Sequence, residues 1–170
     1  MSHLEALIAE YLDIRGFVVR RNLKVGRLAH GGWQMELDVV GYSPDDKTIE
    51  HYEPSVDANN WATREARYLK KFENGLQYYI LEHVFPWVPK NTQLRQFAVF
   101  PSRSKDRITI AGGTVLTIDE LMATIRTYVL ARGPMCRNAI PEQYPLLRTL
   151  QLNCSGYVRL VESNSAEAKG

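Results

Sequence analysis

Residues 33–55 read WQMELDVVGYSPDDKTIEHYEPS, and this stretch decides the fold. Trp33 to Tyr42 reads as one strand and Thr48 to Ser55 as the next. Between them lies Ser43-Pro44-Asp45-Asp46-Lys47. Proline presets one backbone angle and aspartate bonds to its own backbone, so this segment is a turn. Two strands joined by so short a polar turn predict an antiparallel hairpin. Side chains alternate faces along a strand. Glu36 and Asp38 therefore share one face, and His51, Glu53 and Ser55 share one face of the next strand. Neighbouring strands lie ~4.8 Å apart, so in a matching register Asp38 and Glu53 aim at one spot.

Two carboxylates held that close repel, and either one takes up a proton or a cation sits between them. Mg²⁺ (or Mn²⁺) suits such a site because it favours oxygen ligands and keeps several of its waters. A bound Mg²⁺ lowers the pKa of a water and neutralises a phosphate in its transition state. The plainer alternative makes both acids part of the solvated face of an amphipathic strand, which is the commoner role of strand charges.

Residues 58–73 switch to helical spacing, with Trp61, Tyr68 and Phe72 as an apolar stripe and Asn74-Gly75 as the C-terminal cap. Arg64, Arg67 and Lys71 fall at i, i+3 and i+7 on one face, with Lys70 beside them. Either they meet phosphates, or they form a solvated helix face in which Glu65 pairs with its neighbours. Further on, Leu76 to Val84 predicts a short helix ended by Pro86 and Pro89. Leu94 to Phe100 reads as a strand and Arg107 to Ile110 as a shorter one. Thr117 to Glu120 is a capping box opening a helix along Ile118, Leu121, Met122, Ile125 and Val129, stopped by Gly133-Pro134. Pro145 to Leu152 is a last short helix. Towards the N-terminus, Phe17 to Val25 alternates as a strand, with Arg20, Asn22 and Lys24 on its polar face. Ser2 and Glu5 form a capping box for a first helix that also carries Glu10 and ends at Gly16.

The order helix, strand, hairpin strands, helix, strand, helix predicts an α/β fold, a mixed central sheet flanked by helices. A single domain is expected over residues 1–161, with a core to about 131 and a C-terminal extension over 134–161. Residues 162–170 have almost nothing to bury and read as a disordered tail.

A leading helix with a glutamate, an acid in an apolar strand, a hairpin to Glu53-Pro54-Ser55 and then a basic helix resembles the PD-(D/E)XK superfamily. That group includes restriction enzymes, Holliday-junction resolvases and repair nucleases. The likeness spans roughly residues 1–100 and implies a restriction endonuclease-like core. It also implies metal-dependent hydrolysis of phosphodiester bonds in nucleic acid, with DNA the first substrate to expect. Asp38 matches the first acid of the motif and Glu53 the second, both as metal ligands. Glu5 or Glu10 matches the helix glutamate that some members use.

The chain departs from the motif at its lysine, whose place Ser55 takes. In the family that lysine orients the attacking water and offsets negative charge. A serine hydroxyl can hydrogen-bond a water but carries no charge. One reading keeps the enzyme, with Ser55 positioning water, Arg64 or Lys71 supplying the missing cation, and Arg67, Lys70 and Lys24 on the substrate. The other makes the site degenerate and the protein a nucleic-acid-binding or protein-interaction adaptor. Pro54 offers no N–H to a ladder and points to a strand edge or a bulge, and Asp57 either joins the site or caps the following helix.

His51 is a ligand, a general base or, most commonly for a strand histidine, hydrogen-bonded structure. Trp33, Trp61 and Trp87 are candidate base-stacking residues, with core packing the commoner role. Arg103, Lys105 and Arg107 are a further set of candidate phosphate contacts. The net charge of +2 neither demands nor excludes a nucleic-acid partner. No apolar stretch approaches the ~20 residues that span a bilayer, and the first residues lack a signal-peptide pattern. Cys136 and Cys154 lie outside any C-x-x-C spacing, which fits a reducing, cytoplasmic location. The helix over 118–131 is also a candidate homodimer contact.

Overall fold

A computed structural model describes residues 2–57, 59–72 and 79–154 of the chain. Its core is a six-stranded mixed sheet in the order β1-β2-β3-β4-β6-β5. The strands are β1 Val18–Arg27, β2 Trp33–Ser43, β3 Thr48–Pro54, β4 Gln93–Phe100, β5 Thr109–Ile110 and β6 Gly113–Thr117. The helices are α1 His3–Ile14, α2 Trp61–Lys71, α3 Ile118–Ala131, α4 Met135–Asn138 and α5 Pro145–Cys154, with a π-helical turn at Ile80–Val84. The α/β class and the mixed sheet are those that the element order predicts.

Local chemistry explains the boundaries. Ser2 caps α1 by accepting the Glu5 N–H at 3.2 Å. Gly16, at φ +89°, ends the helix in a Schellman motif: its N–H reaches Asp13 O at 2.9 Å and that of Phe17 reaches Leu12 O at 3.1 Å. The predicted hairpin forms, with β2 and β3 antiparallel from Ser43↔Thr48 to Val39↔Tyr52. In its turn the Ser43 hydroxyl accepts the Asp46 N–H at 3.1 Å. The helix over 118–131 opens on a full capping box: Thr117 Oγ1 accepts from Glu120 N at 3.1 Å, and the Glu120 carboxylate accepts from Thr117 N at 2.7 Å.

β3 pairs parallel with β4, and β4 pairs parallel with β6. The strand β6 is not legible in the sequence. Gly112-Gly113-Thr114 looks like a loop, and five residues beginning with glycine give no alternation to read. Two further expectations change. The N-cap of α2 is Asn60, whose side chain accepts from Thr63 N at 2.9 Å, so Asp57 does not cap it. Trp33 and Trp87 are 45% and 60% exposed and are not core. The expected cap at Asn74-Gly75 and the tail over 162–170 lie outside the described residues.

Tyr68 and Phe72 of α2 pack on the sheet with Ala98, Phe100, Ile110 and Val115. A second cluster joins Val40, Leu37 and Ile49 to Ile80, Leu81 and Phe85. Gly113 sits under Phe72, and a Cβ there would lie 2.5 Å from the Phe72 ring and 3.1 Å from the Gln96 carbonyl oxygen. Gly113→Ala is therefore expected to destabilise the chain by about 2 kcal/mol through overpacking, measured by urea denaturation. An unchanged midpoint would show that the ring moves aside freely.

The chain divides into two compact units, residues 1–125 and 126–170, with α3 running across the division. In the second unit the buried Gln151 ties the backbone together. Its carbonyl accepts from Ile140 N at 2.8 Å, and its amide donates to Asn138 O at 2.9 Å and Gly133 O at 3.0 Å. Leu121, Ile125 and Val129 of α3 are buried, while Leu130 is exposed. No described helix is long and apolar enough to cross a membrane.

Candidate functional site

The site forms where the sheet forks. The β2–β3 ladder stops at Val39↔Tyr52. Beyond that point β2 stays paired with β1 out to Trp33↔Arg27, and β3 stays paired with β4 out to Pro54↔Val99. Asp38 is the first residue of β2 past the last rung. The β1–β2 ladder also lacks a rung there, between Arg21↔Val39 and Leu23↔Leu37. The intervening Asn22 stands at φ +52°, a conformation asparagine tolerates better than most residues. Continuing the register sets Asp38 opposite Glu53, and the bond across the fork is to a side chain: Asp38 N–H donates to Glu53 Oε1 at 3.1 Å.

The same fork explains Pro54. Ser55 N–H donates to Val99 O at 2.9 Å, so Pro54, one residue earlier, turns its nitrogen away from β4. That side is the one β2 has left, and a residue without an N–H loses nothing there. Pro54 marks neither an outer edge nor a bulge but a local edge inside the sheet.

Glu53 is 1% exposed, and its carboxylate is fully engaged. Oε1 also meets His51 Nε2 at 2.8 Å, and Oε2 takes the ammonium of Lys71 from the end of α2. Lys71 Nζ lies 3.6 Å from Asp38 Oδ1 as well, so one cation spans both acids. His51 is wholly buried, with Gln96 Nε2 at 3.4 Å from its Nδ1. One tautomer, donating at Nε2 and accepting at Nδ1, serves both partners. The histidine is thus hydrogen-bonded structure that holds Glu53. Tyr68 donates its hydroxyl to Glu53 O at 2.8 Å and fixes α2 to β3.

These surroundings push the two acids apart. Burial raises the Asp38 carboxyl to about 7, helped by the charge of Glu53 and opposed by Lys71, with Glu5 adding a smaller push upward. Burial also pushes Glu53 up, but the hydrogen bond from His51 and the charge of Lys71 outweigh it and hold Glu53 below its usual range. Below about pH 7 the pair therefore carries its proton on Asp38.

Asp38 and Lys71 line an open groove of about 620 Å³ between β2 and α2, with Glu36, Arg67 and Lys70 also on its walls. Arg67 and Arg64 do not lie idle on a solvated face. Both bind Asp57: Arg67 Nη1 meets its carboxylate at 3.1 Å, and Arg64 donates to its backbone oxygen at 2.7 Å. The Ser55 hydroxyl also goes to Asp57, and that bond, first among several, holds the Asp57 carboxyl below its ordinary range. Ser55 is thus turned to Asp57, and of Lys71 and Arg64 it is Lys71 that reaches both acids. Glu5 lines a second cavity of about 340 Å³ with Ser55, Asp57 and Arg67. Glu10 lies five residues on, about 140° around the helix from it. Lys24 is exposed and stands across the β1–β2 ladder from Glu36. Gln96 and Tyr68 carry no mark in the sequence, because their roles exist only once β4 and α2 are docked.

No protein-family model matches the chain, and no curated protein matches it significantly.

Proposed function

We propose that the chain is a metal-dependent nuclease of the PD-(D/E)XK type, hydrolysing phosphodiester bonds in nucleic acid, with DNA as the first candidate. The observation that carries this reading is the lysine on both acids. Ser55 stands where the motif has its lysine, yet an ammonium reaches Asp38 and Glu53 from the next helix. The order of α1, the three-stranded meander, α2 and the parallel β4 supports the same reading.

The carboxylates of Asp38 and Glu53 are donors of the kind Mg²⁺ or Mn²⁺ takes, one or two of them together with substrate phosphate oxygens, and a metal there would take the place that Lys71 holds on Glu53. Among the described residues no group of three histidines, cysteines or acids is placed to hold a metal, so Asp38 and Glu53 would be the protein's share. Bound there, the metal would polarise a phosphoryl oxygen and make a water more acidic. The chain's own residues do the rest. Glu53 is fixed by His51, the Asp38 N–H and Lys71. Asp38 gives up its proton near neutrality. Lys71 turns its remaining donors to phosphate charge as it develops, and Arg67 and Lys70 on the groove wall bind the flanking backbone. Free thiols at Cys136 and Cys154 support a reducing, cytoplasmic setting.

Incubation of the protein with plasmid and single-stranded DNA plus Mg²⁺ or Mn²⁺ tests this. Metal-dependent cleavage is expected, falling at least about a hundredfold in Asp38→Ala. Absence of cleavage in wild type with every nucleic acid and metal offered would sink the enzyme. That result would favour the second reading, a nucleic-acid-binding adaptor, which rests on the Lys71–Glu53–His51 network being complete without a cation.

A further inference from the structure

A third cavity, of about 710 Å³, opens beside the first turn of α2 and the segment after β4. Its charged lining is entirely arginine, namely Arg64, Arg103 and Arg107, joined by Trp61, Ser102 and Ser104, the last of them hydrogen-bonded to Asp106. Each guanidinium is held in place before any ligand arrives. Arg107 lies over the Trp61 ring at 4.6 Å and Arg64 over Phe100 at 4.4 Å. Arg103 places Nη2 on Glu120 at 2.7 Å. Asp57 and Glu120 orient Arg64 and Arg103 from behind, and neither carboxylate lines the cavity. The Arg103 Nε is buried with no acceptor among the described residues. An unmet buried donor costs free energy, and a small shift of the side chain toward a bound oxygen would satisfy it. The first turn of α2 adds its positive dipole end to the same wall.

We infer that this cavity binds a backbone phosphate of the nucleic-acid strand whose cleavage is proposed at Asp38 and Glu53. The inference rests on the reading of the chain as a nucleic-acid-binding protein, and it does not need the chain to cut. Planar guanidinium forks match phosphate oxygens in pairs, and no acid lines the cavity, Asp106 acting on Arg107 from outside it. The spacing fits a strand. Arg64 and Lys71 lie seven residues apart on α2, about 10 Å along its axis, which is about three steps of a duplex strand. Trp61 is already covered by Arg107, so the cavity takes phosphate and not a stacked base.

The test is binding of fluorescently labelled DNA, with and without a 5′-phosphate, by the full chain in EDTA across 50 to 200 mM salt. Arg103 also holds the cap of α3, so Arg107→Gln is the first variant and the Arg103→Gln/Arg107→Gln double the second. Arg107→Gln is expected to weaken binding several-fold and to lower the slope of log affinity against log salt by about 0.9, the double by about 1.8. Equal losses for both ends mean an internal phosphate; a loss confined to the 5′-phosphorylated DNA means a terminal one. Wild-type binding with an unchanged slope in Arg107→Gln overturns this inference and leaves the nuclease reading standing. Binding with the expected slopes but no cleavage in Mg²⁺ removes the nuclease and leaves the phosphate site. No DNA binding by wild type at any salt overturns both.

Discussion

If the chain is the proposed nuclease, Lys71→Met is expected to slow cleavage by about 10²–10³, to cost the metal-free protein about 3 kcal/mol, and yet to tighten its hold on Mn²⁺. The Lys71 side chain is 12% exposed and sits on a glutamate that is 1% exposed. Removing one partner of a buried pair leaves the other charge uncompensated, a loss of about 3–5 kcal/mol. His51 and the Asp38 N–H remain on Glu53, so the lower end of that range applies. The same ammonium competes with a divalent cation for Asp38 and Glu53. With methionine in its place only the proton on Asp38 relieves the two acids, and Mn²⁺ no longer competes with an ammonium. On the proposed nuclease reading cleavage falls for a separate reason: the groove loses the cation assigned to phosphate charge, a loss of the order of 10²–10³ in rate. Urea denaturation with and without Mn²⁺, beside a cleavage assay, reads all three. A variant as stable as wild type in EDTA would mean that the ion pair contributes nothing. One that cuts at the wild-type rate would remove Lys71 from the reaction.

The acids were legible in the sequence because they follow from period two. Asp38 and Glu53 share a face once a hairpin turn lies between them, and the turn Ser43 to Lys47 is written in residue types. The lysine was legible only as one of two candidates. Helical spacing puts Arg64 and Lys71 on the same side of α2, but which of them reaches the fork depends on how α2 docks. Tyr68 and its bond to Glu53 O set that docking, and a tyrosine in an apolar stripe does not announce a partner fifteen residues back. The fork itself was hidden for a similar reason. Pro54 signals a missing donor, but not that the neighbouring strand has already departed, after Tyr52. The strand β6 was missed because its place beside β4 comes from pairing and not from its own five residues. Ser55 looked like a substitute for lysine because it occupies the motif position, whereas its hydroxyl is spent on Asp57. Position along a motif fixes the face of a side chain and leaves its partner open.

Asp38→Asn is expected to stabilise the metal-free chain above pH 7 while removing divalent-cation binding altogether. The Asp38 carboxyl stands at about 7 in the fold against an ordinary value of 3.8. Between those two values the folded chain holds a proton that the unfolded chain has released. Stability contributed by this group therefore falls as pH rises from about 4 to about 7, and is constant above that. A displacement of about three pH units corresponds to ~4 kcal/mol. The groove admits solvent and Glu53 titrates in concert, which reduces the expected gain to about 2 kcal/mol. Asparagine stays neutral throughout, so the gap between variant and wild type opens between pH 4 and pH 7. Glu53 works in the opposite sense, since its lowered carboxyl favours folding at neutral pH and loses that effect only as pH falls through the acid range. Urea midpoints at pH 5 and pH 8 separate the two groups, and a gap that stays constant would show that Asp38 titrates like a surface acid. The same proton governs the metal. Divalent cations require the ionised carboxylate, so Mn²⁺ affinity of the wild type rises with pH up to about 7 and then levels. On the proposed nuclease reading, an acid that stays protonated beside a neighbour kept charged is ready to exchange its proton for a cation. A stability gain in Asp38→Asn without loss of Mn²⁺ would break that link.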